Sequence, residues 1–454
     1  MTGTRSDAAG RWRRVTGDSL LANSAYLMAS TAVLAVGGFV FWVLAARLFP
    51  SAEVGHATAA VGVATALSAA SLLGLHVAII RFLPSSDDPT STLNSVTTAV
   101  VAVGAIASVG YVAFVSLGTS TMSWLAGSVA TAAVFVALVV SGAVGFVWEN
   151  AFVAHRRSEW ALAKNAVVAV GRVAALPACV IFGAAGIVGA YTAAAVASLA
   201  FAAVVLSRRF GYRVRPALHR QQLRAMAGFS FGNYLGVFCL SLPVQLAPLV
   251  LASLLGSESA AHFYVPLMVA TVVYVVPVAV AQTLLAEASA GGPLRIAKPA
   301  AAIAAIALPC IIVLVVAAPQ ILSLFGAEYA TTGTTVLRVL AVGVPGVALA
   351  QVGTTVLNVA DRLRLLVGLA AFHAAAVLGG AAAGTRWGLD GAAFGWTAGQ
   401  YLTVAAYLVV VYAQMRRPAL TAVAVPPTTR VPVAGAAGSA IATAAQHEPK
   451  KVGA

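Results

Sequence analysis

The sequence predicts an all-α integral membrane protein, with twelve transmembrane helices in two six-helix lobes related by a pseudo-two-fold axis along the membrane normal. Three observations predict it. Apolar runs of about 20 residues, enough for a helix to cross the ~30 Å hydrocarbon core of a bilayer, recur along the chain. Basic residues fall on alternate connections between those runs, and short matching segments recur at an offset near 205 residues.

The composition agrees. Of 454 residues, 61% are hydrophobic and only 9% charged, whereas charged residues make up about a quarter of a soluble domain. The net charge of +14 is dispersed among short connections rather than gathered on one domain, which argues against a nucleic-acid partner. Cys179, Cys239 and Cys310 lie inside apolar runs without disulfide or metal spacing, so they read as small packing residues.

Residues 1–22 carry the basic flank of a secretory signal, but the apolar run after them, 23–46, is longer than a signal core of about 7–15 residues. It reads as span one. Spans at 57–80, 95–117, 126–148, 165–183 and 186–206 complete an N-lobe over 23–206. A basic cytoplasmic linker, 207–227, contains six arginines from Arg208 to Arg224 and reads as a topology signal that also meets anionic lipid headgroups. The C-lobe, 228–413, holds spans at 228–255, 262–286, 299–318, 336–357, 365–384 and 391–413. The tail, 414–454, is rich in Pro, Thr and small residues and is expected to be disordered.

All but four of the 27 basic residues fall on one side of this arrangement; Arg47 and Arg386 lie opposite, and Arg172 and Arg338 lie in spans or at their edge. Cytoplasmic loops carry the Lys/Arg excess, so both termini are expected in the cytoplasm and the chain in the inner or plasma membrane. The repeat joins "ARLFPSAEVGH" (46–56) to "ASLLGSESAAH" (252–262), "VAHR" (153–156) to "VADR" (359–362), and "GIVGA" (186–190) to "GLDGA" (388–392). An offset of six spans keeps the membrane orientation, and parallel repeats of this kind mark transporters with a site between rocking lobes.

The runs "NSAYLMASTAVLAVGGFVFWVLAARLFPSAEVGHATA", "LGLHVAIIRFLPSS", "WENAFVAHRRSEWALAKN" and "ILSLFGAEYATTGTTVLRVLAVGVP" resemble polysaccharide transporters of the multidrug/oligosaccharidyl-lipid/polysaccharide exporter superfamily. The likeness extends from about Asn23 to Tyr412. It implies a V-shaped alternating-access transporter that flips a polyprenyl-pyrophosphate-linked glycan to the outer leaflet, with spans one, two, seven and eight lining the cavity. It implies no cofactor, and partners that are the lipid-linked glycan, anionic membrane lipids and other membrane proteins of polysaccharide assembly.

A diphosphate headgroup calls for cations, and arginine offers a planar fork that stays charged when desolvated. Arg81 stands at the cytoplasmic end of span two, where it either captures phosphate or anchors the span by snorkelling. Arg172 lies too deep to snorkel, so it either meets the substrate or pairs with Glu149 or a backbone carbonyl. Asn23 and Tyr26 in span one, and Asn233, Gln245 and Gln282 in spans seven and eight, are candidate cavity hydrogen-bonding groups. Pro243, Pro248, Pro266 and Pro277 are candidate hinges, and His76 and His373 candidate proton-coupling sites.

Two other functions make demands that the sequence does not meet. A membrane glycosyltransferase or polymerase needs catalytic residues on a large outer loop, but the outer loops are short and show no paired carboxylates or metal-ligand cluster. A cation- or proton-coupled multidrug exporter of the same superfamily calls for acidic residues within spans, and none lies at a span centre.

Overall fold

The structure, a computed structural model, describes residues 4–118, 120–289, 297–359 and 362–415. It is helical, with no strand among the described residues. In order the helices are α1 (Thr4–Leu48), α2 (Ser51–Leu72), α3 (Leu75–Phe82), α4 (Pro89–Ser116), α5 (Val129–Ala154), α6 (Ser158–Ala175), α7 (Gly183–Phe210), α8 (Arg220–Leu255) and α9 (Ser257–Ser289). There follow α10 (Ala297–Val316), α11 (Ala318–Ser323), α12 (Ala327–Thr332), α13 (Thr334–Val342), α14 (Val344–Val359), α15 (Leu363–Gly384) and α16 (Gly388–Met415). The tail expected to be disordered lies outside the described residues from 416 onward.

Eight stretches among the described residues are long and apolar enough to cross a membrane. Two of them, Ser158–Phe210 and Leu363–Val410, run to 53 and 48 residues, about twice one crossing. Short 3₁₀ turns at Leu176–Phe182 and Thr385–Trp387 divide each in two. The chain is a multi-pass membrane protein.

Local chemistry sets several helix ends. Asp88 caps α4 by accepting from Ser91 N at 2.9 Å, with Pro89 at the first helical position. Ser128 caps α5 in the same way. Where the sequence predicts one span at 57–80, the structure has α2 and α3, broken at Leu73 and Gly74 with φ of 49° and 78°. Ser71, Gly74 and His76 mark the place only weakly, since single glycines and small polar residues also occur inside spans.

The packing repeats. α1 lies on α6 and α8 on α15; α6 lies on α7 and α15 on α16; α2 meets α5 and α9 meets α14. These are equivalent pairs under the sequence offset. Between the halves, α2 packs on both α8 and α9. Two glycines permit it: a Cβ at Gly55 would strike the Ser257 carbonyl oxygen, and one at Gly62 that of Gln245. The largest apolar core spans both halves at this crossing, through Phe41, Trp42, Phe263 and Trp396.

The basic linker is shorter than its charge pattern predicts, because α7 continues to Phe210 and α8 begins at Arg220. Between them the chain forms an extended strap over α4. Asn94 donates to Arg213 O at 2.8 Å and accepts from Arg215 N at 3.3 Å, while Thr98 and Ser95 accept from Ala217 N and His219 N. These bonds satisfy backbone groups that have no helix of their own.

Candidate functional site

The seam between the halves is formed by α2 against α8 and α9 and by α3 against α8, with Trp42 of α1 reaching Tyr264 of α9. At the end carrying the α1–α2 turn it is closed by polar and aromatic contacts. Arg47 donates from Nε to Leu324 O at 2.9 Å and from Nη2 to Ser323 O at 2.8 Å, covering the last carbonyls of α11. Ser51 donates to Glu328 Oε1 at 3.2 Å. Deeper, Trp42 meets Tyr264 edge-to-face at 5.2 Å and Phe39 meets Phe325 at 5.4 Å. Toward the strap, Ser230 donates to Gly74 O at 2.9 Å and Tyr234 to Ala69 O at 2.5 Å.

Arg172 sits behind α1, only 4% exposed. Its Nη2 donates to Leu34 O at 2.8 Å and its Nη1 to the Tyr191 hydroxyl at 3.0 Å. The guanidinium lies 5.8 Å from the Phe41 ring centroid and 5.3 Å from that of Tyr191. Of the two protein partners the sequence offers, the structure gives Arg172 the backbone carbonyl and not Glu149, with a phenol and two aromatic faces around it. Gly38 makes room, since a Cβ there would stand 3.1 Å from Nη2. These partners are all neutral.

Glu149 does not reach Arg172. It pairs with Lys164 at 3.1 Å, and Lys164 also donates to Gly145 O at 3.3 Å. Lys164 reads as a loop residue in sequence, yet it is a buried member of α6, which begins at Ser158. A lone cation beside two loop arginines gives no sign of this. Asn165, next to it, donates to Ser30 of α1 at 2.8 Å.

The other sequence candidates are scattered along the seam and its flanks. Gln245 lies where α8 crosses Gly62; its Nε2 donates to Ser241 at 3.0 Å, while its Oε1 is buried without a hydrogen bond among the described groups. Asn23 Oδ1 accepts from Ser158 N at 3.0 Å, tying α1 to the start of α6. Tyr26 is exposed on α1. Arg81 is exposed in the last turn of α3, its guanidinium 5.9 Å from the Phe82 ring. Pro243 and Pro248 are buried within an unbroken α8, and Pro266 is buried in α9. His76 packs edge-on to Tyr234 at 5.0 Å, and His373 is buried in α15. The side chains of Asn233, Gln282 and Pro277 lie outside the described residues.

Beside the strap, His155 Nε2 lies 2.7 Å from the Tyr212 hydroxyl. Burial holds the His155 imidazole below its ordinary range and raises the Tyr212 phenol to about 12.

One grouping has no precedent in the sequence reading, which finds no metal-ligand cluster. Glu258 and His262 of α9 and Glu328 of α12 place one ligand atom each within 4.8 Å of one another. The i, i+4 spacing of Glu258 and His262 is visible in sequence; the arrival of Glu328 from a separate short helix is not.

Comparison with known proteins agrees with the fold. Residues 20–285, more than half of the chain, match the family model described as polysaccharide biosynthesis protein. No curated protein matches the chain in sequence. Among solved structures, the inward-facing form of a multidrug resistance MATE family transporter of the MOP superfamily superimposes with a TM-score of 0.67 at 15% identity, covering 87% of this chain and 99% of that one. The outward-facing form of such a transporter gives 0.58 at 14% identity, with 89% and 96% covered. The lipid II flippase MurJ, in an inward closed conformation, gives 0.65 at 11% identity, with 85% and 87% covered. The chain belongs to the polysaccharide biosynthesis protein family and has a fold similar to those of the MATE and MurJ transporters.

Proposed function

We propose that this membrane transporter flips a polyprenyl-pyrophosphate-linked oligosaccharide from the cytoplasmic to the outer leaflet, by alternating access between two six-helix lobes, 23–206 and 228–413. The observation that carries this reading is the charge of Arg172. Its partners in the structure are a carbonyl, a hydroxyl and aromatic faces, so the interior next to α1 keeps a net positive charge. A charge held at such depth is costly and calls for a functional reason. A diphosphate headgroup is attracted to it; a cationic drug is repelled.

The remaining parts fit this scheme. The paired packing of α1–α6 with α8–α15, and of its equivalents, supports the two-lobed arrangement. Counting α9, α10 and the two halves of each double-length stretch gives the twelve crossings. The arginine excess supports a cytoplasmic strap and cytoplasmic termini. The contacts of Arg47 and Ser51 then close the outer side, which corresponds to an inward-facing state. Substrate enters beside Arg81 at the cytoplasmic mouth and meets Gln245 at the waist of the seam. Bending at Pro243 and Pro248 accompanies the exchange of faces.

The test is a flipping assay in proteoliposomes holding a short-chain polyprenyl-diphosphate oligosaccharide, reading how fast the inner-leaflet sugar becomes accessible to an external glycosidase. The protein is expected to raise that rate at least tenfold over empty vesicles. No acceleration, together with uptake of a cationic dye under a proton gradient, would establish the multidrug reading instead.

A further inference from the structure

Glu258 and His262 stand one helical turn apart on α9, which puts both side chains on one face. α12 brings Glu328 against that face, so that a carboxylate oxygen from each glutamate and an imidazole nitrogen lie within 4.8 Å of one another. The two carboxylates are exposed, while His262 is only 3% exposed and its ring is fixed edge-on to Tyr329 at 5.0 Å. His262 Nε2 makes no hydrogen bond of good geometry, although Glu328 Oε1 stands 3.4 Å away. A buried imidazole nitrogen set beside two carboxylates offers a cation three ligand atoms of complementary chemistry.

We infer that Glu258, His262 and Glu328 bind a divalent transition-metal ion, with Zn²⁺ the best match. One imidazole and two carboxylates are the ligand types zinc takes, and three protein ligands leave a fourth position for water. Tetrahedral bonds of about 2.0–2.2 Å put ligand atoms about 3.3–3.5 Å apart; the His262–Glu328 separation of 3.4 Å already matches. The exposed carboxylates close the remaining distance by side-chain rotation. Calcium and magnesium favour all-oxygen sites with six or more ligands, which this set does not supply. Ser51 of α2 donates to Glu328 Oε1 and orients it. A bound ion therefore ties α9 to α12 at the point where the two halves of the chain touch.

The experiment uses the full chain, untagged and purified in detergent, titrated with Zn²⁺ against a chromophoric chelator and separately with Co²⁺, followed by visible absorption. One tight Zn²⁺ per chain is expected, with affinity falling at least tenfold in Glu258→Gln, in His262→Gln and in Glu328→Gln, and with the Co²⁺ bands lost in each. Glu258→Gln alters an exposed side chain, so it decides the matter even if the His262 variant fails to fold. Less than one tight Zn²⁺ per chain, or equal affinity in Glu258→Gln and the unaltered protein, would overturn the assignment.

Discussion

In the first half of the chain α1 lies on α6 through buried and half-buried polar bonds: Asn165 to Ser30 at 2.8 Å, Arg172 to Leu34 O at 2.8 Å, and Ser158 N to Asn23 Oδ1 at 3.0 Å. In the second half α8 lies on α15, the equivalent pair, and there Gly232 faces Leu363 while Gly236 faces Leu366. In the second pair leucine tips meet glycine faces; the first combines the Gly37–Ala169 contact with directional bonds. The repeat thus contains its own control, because the same helix pair assembles in the second half with no interior cation on α15. A buried cation is thus not a general requirement of this helix pair, which fits the role proposed for the Arg172 charge.

The largest effect that would sharpen this comparison comes from the Lys164–Glu149 pair, which has no counterpart on α15. Lys164→Ala leaves Glu149 uncompensated. Breaking a fully buried pair costs about 3–5 kcal/mol, and with the Glu149 side chain 23% exposed a loss of about 2–3 kcal/mol is expected. Thermal unfolding in detergent should show it, and Lys164→Met combined with Glu149→Gln should restore most of it. An undamaged single variant would mean that the pair does not secure α6.

Glycine substitutions come next and separate the halves directly. A Cβ at Gly37 would lie 2.6 Å from Ala169 Cβ and 3.1 Å from its Cα. That contact involves backbone, which cannot yield cheaply, so Gly37→Ala should cost about 1–3 kcal/mol. At Gly232 the obstacle is the tip of Leu363, a flexible side chain that is 38% exposed. Gly232→Ala should therefore cost under about 1 kcal/mol. Equal costs at the two sites, measured by thermal unfolding, would break the distinction between a welded and a yielding pair.

What the sequence made legible follows the same division. Long apolar runs made a helical, multi-pass membrane protein legible, because the bilayer imposes apolar length on every crossing helix alike. The break at Leu73 and Gly74 was hard to see because Ser71, Gly74 and His76 are residues that unbroken spans also contain. Lys164 was hidden by its neighbours Arg156 and Arg157, although its partner Glu149 is one helix away. Arg172 stood out since a charge in such a run has few explanations, yet only the fold reveals that Leu34 and Tyr191 receive it. Glu328 could not be joined to Glu258 and His262 across so many residues without the placement of α12.

The smallest expected effect is that of Asn165→Ala, which removes the bond to Ser30. Side-chain hydrogen bonds between membrane helices average about 0.6 kcal/mol, so a shift of that order in thermal stability is expected, with flipping retained. A collapse of the fold would show that the polar contacts of α1 and α6 act as one network rather than as separate bonds.

The most direct test of the central claim is the flipping rate of Arg172→Met beside the unaltered protein, at matched amounts of folded chain in the same vesicles. Methionine keeps most of the volume and removes the charge, much as the second half of the chain does at the equivalent pair. The account predicts a folded protein, less stable by the lost bonds to Leu34 O and Tyr191, whose flipping of a diphosphate-linked glycan falls at least tenfold. Normal flipping by this variant would contradict it and make Arg172 a packing residue.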